Sequence, residues 1–526
     1  MRRWNAWGDD AHQVELPKSG LDLLERTVGP LRPTTPAPWE ATLAAVPAST
    51  LPDHPLLDRS PGERVRHAVG QSFPDWLAIR TNTVPRYPDG VASPRSGEDV
   101  AELLRFARDN GAIVVPYGGG TSVAGHLRVE RPERPVLCCS LARMNRLLDL
   151  DAVSGLATFE AGVNGPAIEA ALGAHGWTLG HYPQSWELST LGGWVATRSS
   201  GQLSLEYGRI EGLFAGGTVE TPSGRLELPV HPASAAGPDL RQLVMGSEGR
   251  LGVITRCVVR VSPRPERESF RGAVFAESEA AMAAIREVLR AGVDLNMMRL
   301  SLPRETRTHL ALGGDPGTLA AVARLGEGSC LLTYGATGRA AHAEAAFAEA
   351  EALFAAHGGA LLGDEPGARW KKGRFAGPYL REPLWSAGLA TDTLETSVPW
   401  SRVSQAVERI EEALRGALPE EKVHAFTHLS HVYSFGSSLY TTYAWRLHGD
   451  PEIDLDRWRR LKAASSRAVV SVGGTISHQH GVGQDHRPYL EAEKGKLGIE
   501  MLRGVVSRID PEGLMNNGNL IPDAEA

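Results

Sequence analysis

Pro116-Tyr117-Gly118-Gly119-Gly120-Thr121-Ser122 follows a helix-like run, Glu98 to Asn110, and an apolar strand-like run, Ala112 to Val115. Three adjacent glycines let the backbone turn through positive φ and present several N–H groups to one anion, and the two hydroxyls add donors. The stretch reads as a diphosphate cradle, although glycine triplets also make plain turns. Two further segments decide between these. One is Gln184-Ser185-Trp186-Glu187-Leu188-Ser189-Thr190, continuing through Gly192-Gly193 to Thr197-Arg198-Ser199-Ser200. The other is Glu248-Gly249-Arg250-Leu251-Gly252-Val253-Ile254. Three small, hydroxyl-rich segments in one domain can surround a large dinucleotide, one at the diphosphate, one along the ring system and one under the adenosine end.

Around these segments, strands and helices alternate from Gly90. Helical periodicity at 98–110 and 167–175 is interleaved with strands at 113–115, 136–141 and 157–161, and the pattern closes on strands at 251–255 and 257–261. Pro263 and Pro265 then mark a boundary. We expect an N-terminal wrapping segment at 1–89, an α/β nucleotide domain at 90–265, a substrate (cap) domain at 266–470 and a C-terminal segment at 471–526 that returns to the first domain. In the cap, helical patterns at 278–291, 340–357 and 401–415 alternate with strands near 297–300, 330–334 and 425–429, which predicts an antiparallel sheet with helices. The fold class is α+β.

At 526 residues the chain exceeds what one core usually holds. Its net charge of −7 argues against a general nucleic-acid surface, so any anion site has to be built locally. Cys138, Cys139, Cys257 and Cys330 have no metal-like spacing and read as reduced core residues. The sequence holds no apolar run of membrane-span length, and Met1-Arg2-Arg3-Trp4-Asn5-Ala6-Trp7-Gly8 has no signal-peptide core, so a cytoplasmic location is expected.

In this order the three glycine-rich segments resemble the PCMH-type FAD-binding domain of the vanillyl-alcohol oxidase superfamily, and within it the alkyldihydroxyacetonephosphate (alkylglycerone-phosphate) synthase family. The likeness runs from Trp4 almost to Leu520. It is carried also by Arg3 to Gly8, by Glu395-Thr396-Ser397-Val398-Pro399-Trp400, and most specifically by Gly473-Gly474-Thr475-Ile476-Ser477-His478-Gln479-His480-Gly481-Val482-Gly483. The resemblance implies FAD, bound non-covalently because no histidine lies in the glycine loop. It implies exchange of the acyl chain of acyl-dihydroxyacetone phosphate for a fatty alcohol through a bond to flavin N5, as in ether lipid synthesis, with no net electron transfer. It also implies a homodimer, and a lipid substrate leaves peripheral membrane contact open.

That chemistry needs a base at C1, an acid/base at the leaving and entering oxygens and a cation for the phosphate. By resemblance Tyr440 takes the acid/base position and His478 and His480 the outer places of a three-histidine motif. Arg381 falls at the phosphate-binding arginine, Arg299 at another arginine needed for activity, and Thr190 beside the flavin. Each has an alternative in ordinary packing. Tyr440 can be one aromatic of a half-buried strand, the arginines can be salt-bridge partners, and Arg198 can cap a helix instead of meeting the diphosphate. Arg299 lies in an apolar run, where an inward arginine is costly unless it meets an anion. His478 and His480, alternating on an extended segment, are expected on one side.

The sequence departs from the family at two places, with Gln479 at the central histidine and Gln184 at an aspartate. Glutamine transfers no proton at neutral pH, so a C1 base would have to be His478 or His480. The rival is an FAD-dependent 2-hydroxyacid dehydrogenase of the glycolate and D-lactate type, whose H-x-G-D-G-N-x-H and E-H-G-I-G runs hold a divalent metal. Here Tyr440 replaces the second histidine and Gln479 the glutamate, so no metal site is expected. A flavin-binding protein without catalysis is a third class, against which the many polar candidates in the cap weigh.

Overall fold

The computed structural model describes residues 3–12, 14–129 and 133–521. Met1, Arg2 and 522–526, the ends of the expected terminal segments, lie outside the described residues. The helix before the glycine loop spans Gly97–Asp109. The Ser96 hydroxyl caps it by accepting from Asp99 N at 3.1 Å, and Val100, Leu103, Leu104 and Ala107 line its buried face at helical spacing. It ends at Asn110-Gly111, and the chain enters the strand Ile113–Tyr117.

That strand belongs to a four-stranded sheet ordered Leu57–Asp58, Gly90–Ala92, Val136–Ser140, Ile113–Tyr117, the last three parallel. Among the described residues parallel pairing is limited to this sheet. A second sheet, Leu147–Asp151, Leu156–Glu160, Val253–Arg260, Phe214–Thr221 and Gly224–Leu228, is antiparallel throughout. Both feed one core, including Leu103, Val114, Leu137, Phe159, Leu191, Phe214 and Val253. All four cysteines are buried and free.

The cap is an antiparallel sheet of eight strands. Seven run in the order Ala360–Gly363, Arg267–Phe275, Cys330–Gly338, Met297–Ser301, His424–Leu429, Gly436–Arg446, Leu389–Pro399, and Val432–Tyr433 pairs with Gly436–Arg446. Period-two alternation divides its faces. Met298, Leu300, Leu332, Tyr334, Leu429 and Leu439 pack on one side with Ile285, Phe347 and Phe354 of the helices Ser278–Ala291 and Ala340–Ala356. Met297, Arg299, Ser301, Thr333, His428 and Tyr440 face the other way, toward the flavin domain.

The N-terminal segment closes the joint. Phe73 and Trp76 of the helix Phe73–Thr81 pack with Trp385, Trp445 and Trp458, all buried, and Leu24 and Val28 of the helix Lys18–Val28 pack on Leu389 and Ala444. Fully burying one such aromatic is worth about 1.5–3 kcal/mol, so this cluster fixes the cap on its base. Among the described residues no helix is long and apolar enough to cross a membrane.

Candidate active site between the flavin domain and the cap

A cavity of about 980 Å³ separates the two lobes. Its floor is the glycine loop, and the close approach there explains the glycines. A Cβ on Gly119 would lie 1.9 Å from Leu188 O, and one on Gly118 would lie 2.3 Å from Thr190 Oγ1. Thr190 also caps the helix Leu191–Thr197, its hydroxyl accepting from Gly193 N at 3.4 Å. The cavity wall includes Pro116 to Ser122, Gln184, Ser185, Ser189, Thr190, Thr197, Ser199, Ser200, Glu248, Gly249, Gly252 and Ile254 of the expected cofactor residues. A volume of this size takes a dinucleotide, and a glycine-rich backbone cradle beside hydroxyls suits a diphosphate.

Other expected residues support this wall from behind. Arg198 is the left-handed C-cap of Leu191–Thr197 (φ 54°), and its guanidinium donates to Met245 O at 3.0 Å and Gln242 O at 3.0 Å, so it ties two loops together. Arg250 is buried and donates to Asn519 O at 2.8 Å. Glu187 accepts from Tyr379 OH at 3.0 Å, and Trp186 stacks on Phe375. Leu251 and Val253 belong to hydrophobic cores, and Leu188 contributes its carbonyl beneath Gly119.

The C-terminal segment is locked to the glycine loop. Asn517 and Asn519 donate to His126 O at 2.6 and 2.7 Å, and the Glu248 carboxylate accepts from Val482 N at 2.5 Å and Gly483 N at 2.7 Å. His126 bridges these parts. Its Nδ1 is 2.5 Å from Ser122 Oγ and its Nε2 is 3.1 Å from Glu248 Oε2. Burial pulls its pKa down, but Glu248, with Asp485 and Asp75, more than offsets this and the net shift is upward.

On the cap side, Tyr440 stands between two strands, directly opposite Glu395 on one and His428 on the other. Burial pushes its hydroxyl up to about 12, the neighbouring Glu395 adding to this and the Thr393 side chain opposing it. The His480 ring meets Tyr440 edge-on with centroids 5.6 Å apart. Burial lowers the His480 pKa, with Glu395 pulling the other way.

His478 and His480 do not share a side. The segment is a turn whose backbone N–H groups converge on one buried anion: Glu395 accepts from His478 N at 2.5 Å, Gln479 N at 3.1 Å, His480 N at 2.9 Å and Ser477 Oγ at 2.8 Å. Such a nest breaks the alternation of an extended strand. His478 therefore turns from the cavity, its Nε2 2.7 Å from Arg209 Nη1 and 2.6 Å from Tyr433 OH. Gln479 and His480 line the cavity, and Gln479 Oε1 accepts from His431 Nε2 at 2.9 Å.

Arg381 reaches the cavity wall, lying over Trp76 at 4.4 Å and donating to the Gln71 carbonyl. Its Nε and Nη2 are buried without hydrogen-bond partners, and burial lowers its pKa to about 10. Arg299 also lines the cavity, and the anion it meets is Glu305, at 2.9 Å. The sequence reading assigns no role to Glu395, His428, His431, Glu305 or His126. Cross-strand register with Tyr440 brings the first two to the site.

Residues 88–228 match the family described as FAD binding domain, and residues 264–520 match FAD linked oxidases, C-terminal domain. Together with the cradle, these matches define the class: a flavoprotein of the FAD-linked oxidase type, with FAD as its cofactor. The chain is 31% identical over 481 residues to the alkyldihydroxyacetonephosphate synthase of Trypanosoma brucei brucei, covering 87% of this chain and 77% of that one. It is 25% identical over 469 residues to a glycolate oxidase subunit of Bacillus subtilis (strain 168), covering 84% and 92%. A solved alkyldihydroxyacetonephosphate synthase structure superposes with a TM-score of 0.83 at 25% identity, covering 100% of this chain and 99% of that one. The chain belongs to the alkyldihydroxyacetonephosphate synthase family.

Proposed function

We propose that this protein exchanges the acyl chain of an acylated dihydroxyacetone phosphate for a fatty alcohol, using FAD held without a covalent link. Arg381 carries this reading. A buried guanidinium with two unpartnered donors is costly, and a phosphate entering the cavity would satisfy it with charge-assisted hydrogen bonds. The same cavity continues over Leu16, Leu23, Leu24, Leu310, Leu312 and Leu384, an apolar surface suited to a long alkyl chain.

FAD would lie on Gly118 to Ser122, Thr190, Ser199, Ser200 and Gly249, and when bound it supplies a ring N5 able to act as a nucleophile toward the substrate's C1. The chain's own residues do the rest. Tyr440, protonated at neutral pH, donates a hydrogen bond to the acyloxy oxygen as it departs. His480, kept neutral by burial, is an acceptor for the C1 proton, and the buried Glu395 holds its segment in place. Arg299 keeps Glu305 ionised beneath His428. On this reading the wrapping segment is 1–89, the flavin domain 90–265, the cap 266–470 and the returning segment 471–526.

Anaerobic mixing of the flavoprotein with palmitoyl-dihydroxyacetone phosphate should release palmitate, and added hexadecanol should yield the alkyl product without consuming an electron acceptor. Bleaching of the flavin by glycolate or D-lactate, reversed by an acceptor, would instead make it a 2-hydroxyacid dehydrogenase. Tyr440→Phe should lower turnover by roughly 10²–10⁴-fold while keeping its flavin. Native turnover in that variant would remove Tyr440 from the mechanism.

A further inference from the structure

His428 has no part in the roles above, yet its surroundings are those of a poised base. It lies on the cavity wall in the strand His424–Leu429, opposite Tyr440 on one neighbouring strand and paired with Ser301 through the other. Its ring stacks on Tyr440 with centroids 5.0 Å apart and planes 22° apart. We propose that His428 is a further catalytic base, its Nε2 taking the proton that the incoming fatty alcohol loses as its oxygen bonds to C1. This assignment rests on the exchange reaction proposed above.

The tautomer follows from the partners. His428 Nδ1 is 2.8 Å from Glu305 Oε1, and the same oxygen accepts from Arg299 Nη2 at 2.9 Å. Burial alone would raise the Glu305 pKa, but Arg299 and His428 reverse this and hold it well below the usual carboxylate range. An ionised carboxylate only accepts, so Nδ1 carries the hydrogen and Nε2 keeps its lone pair. Among the described residues Nε2 has no hydrogen-bond partner. A buried carboxylate that fixes an imidazole by Nδ1 and leaves Nε2 to the substrate is the arrangement that makes histidine a general base in acyl transfer.

The other groups near the reaction are less suited to this proton. Tyr440 holds its own proton to about 12 and so starts as a donor. Gln479 takes none, and His478 is engaged by Arg209 and Tyr433. Burial first, then Arg299, lowers His428 to about 4, against the pull of Glu305, so it is neutral and able to accept at pH 7. The charged and titratable groups that face it are Glu305, Arg299, His309, His431 and Tyr440.

The step balances. The alcohol O–H bond breaks, its electron pair stays on the oxygen that bonds to C1, and the proton passes to Nε2. C1 gains this bond in place of the one to the acyloxy oxygen, which has already left as a carboxylate with the electron pair of its bond to C1; any bond that C1 would make to FAD in between is formed and broken once and drops out of the balance. Nε2 then returns its proton to water, so one proton is released per turnover at pH 7 and no electron is gained or lost.

The test uses the full-length FAD-loaded protein and two readouts, palmitate released from palmitoyl-dihydroxyacetone phosphate and alkyl product formed with hexadecanol. In His428→Ala the ratio of alkyl product to palmitate should fall by roughly 10²-fold, and added imidazole should restore alkyl formation in proportion to its unprotonated fraction. Glu305→Gln should fall less, by about tenfold, and move the acid limb of alkyl formation to lower pH, since Glu305 raises the His428 pKa. This second variant stands if the first does not fold. Equal loss of both readouts without imidazole rescue, or an unmoved acid limb in Glu305→Gln, would overturn the assignment. Native protein that releases no palmitate would instead overturn the exchange reaction itself.

Discussion

The two walls of the cavity are built by opposite means. The flavin side is mostly backbone, with Gly118 and Gly119 packed so close to Thr190 Oγ1 and Leu188 O that no side chain fits there. The cap side is mostly side chain, with Arg299, His428 and Tyr440 projecting from three strands of one sheet, the first two held by Glu305, while Glu395 holds the His478 to His480 turn beside them. A backbone cradle binds a constant group and leaves little room for variation. A face of side chains on a rigid sheet can change its chemistry by single substitutions.

The comparison breaks first at Gly119. A methyl group there meets Leu188 O at 1.9 Å, a backbone atom that cannot rotate away. Gly119→Ala should cost about 3 kcal/mol at the loop, enough for a roughly hundredfold loss of FAD affinity. The flavin-to-protein absorbance ratio after gel filtration reads this directly. If Gly119→Ala keeps a full complement of FAD, the cradle is not built by backbone contact.

The same contrast decides what was legible in the sequence. Pro116 to Ser122 and the two later segments are each contiguous in the sequence, and together they outweigh the plain-turn reading that a glycine triplet alone allows, so the flavin side could be read as a string. The strands expected near 297–300, 330–334 and 425–429 were legible from their largely apolar content and fall within Met297–Ser301, Cys330–Gly338 and His424–Leu429, and the helix Ser278–Ala291 falls where its periodicity places it. The cap site was not. Glu305 reaches His428 across 123 residues, and Glu395 reaches His480 across 85, through pairings that no local pattern encodes. The His478 to His480 run failed for a related reason, because a carboxylate distant in sequence folds that segment into a turn around itself.

Acid should separate the walls next. Burial holds His424 and His428 down to about 4 and His431 to about 3, so all three stay neutral in the folded cap. In the unfolded chain they titrate near 6.5, so below that pH the unfolded state binds more protons and stability falls with pH toward the folded values. Each should cost about 2 kcal/mol between pH 7 and pH 5. On the flavin side His181, held to about 3 by burial, acts in the same direction. His126, raised by Glu248 against its burial, opposes it, since its stabilisation is full at low pH and is lost as pH rises through its folded pKa. Amide exchange at pH 7 and pH 5 should therefore loosen the cap strands more than the glycine loop, and His431→Gln should flatten the pH slope of the urea midpoint. Equal loosening of both walls would mean that the cap histidines titrate normally.

The smallest effect tests whether an arginine beside the cradle belongs to it. Arg198 sits in the second flavin segment, where a cation would suit a diphosphate, yet its side chain runs to Met245 O, Gln242 O and Gln242 Oε1, and its Cβ is held at a left-handed residue that ends the helix behind Thr190. Arg198→Met keeps the helix end and the aliphatic stem but removes those hydrogen bonds, at a cost of about 1 kcal/mol because the group is partly exposed. Thermal unfolding should register that loss, while FAD affinity should stay within about twofold of the native value. An FAD affinity lowered tenfold would mean that a side-chain cation does reach the cofactor, and the flavin wall would then be built on the same plan as the cap.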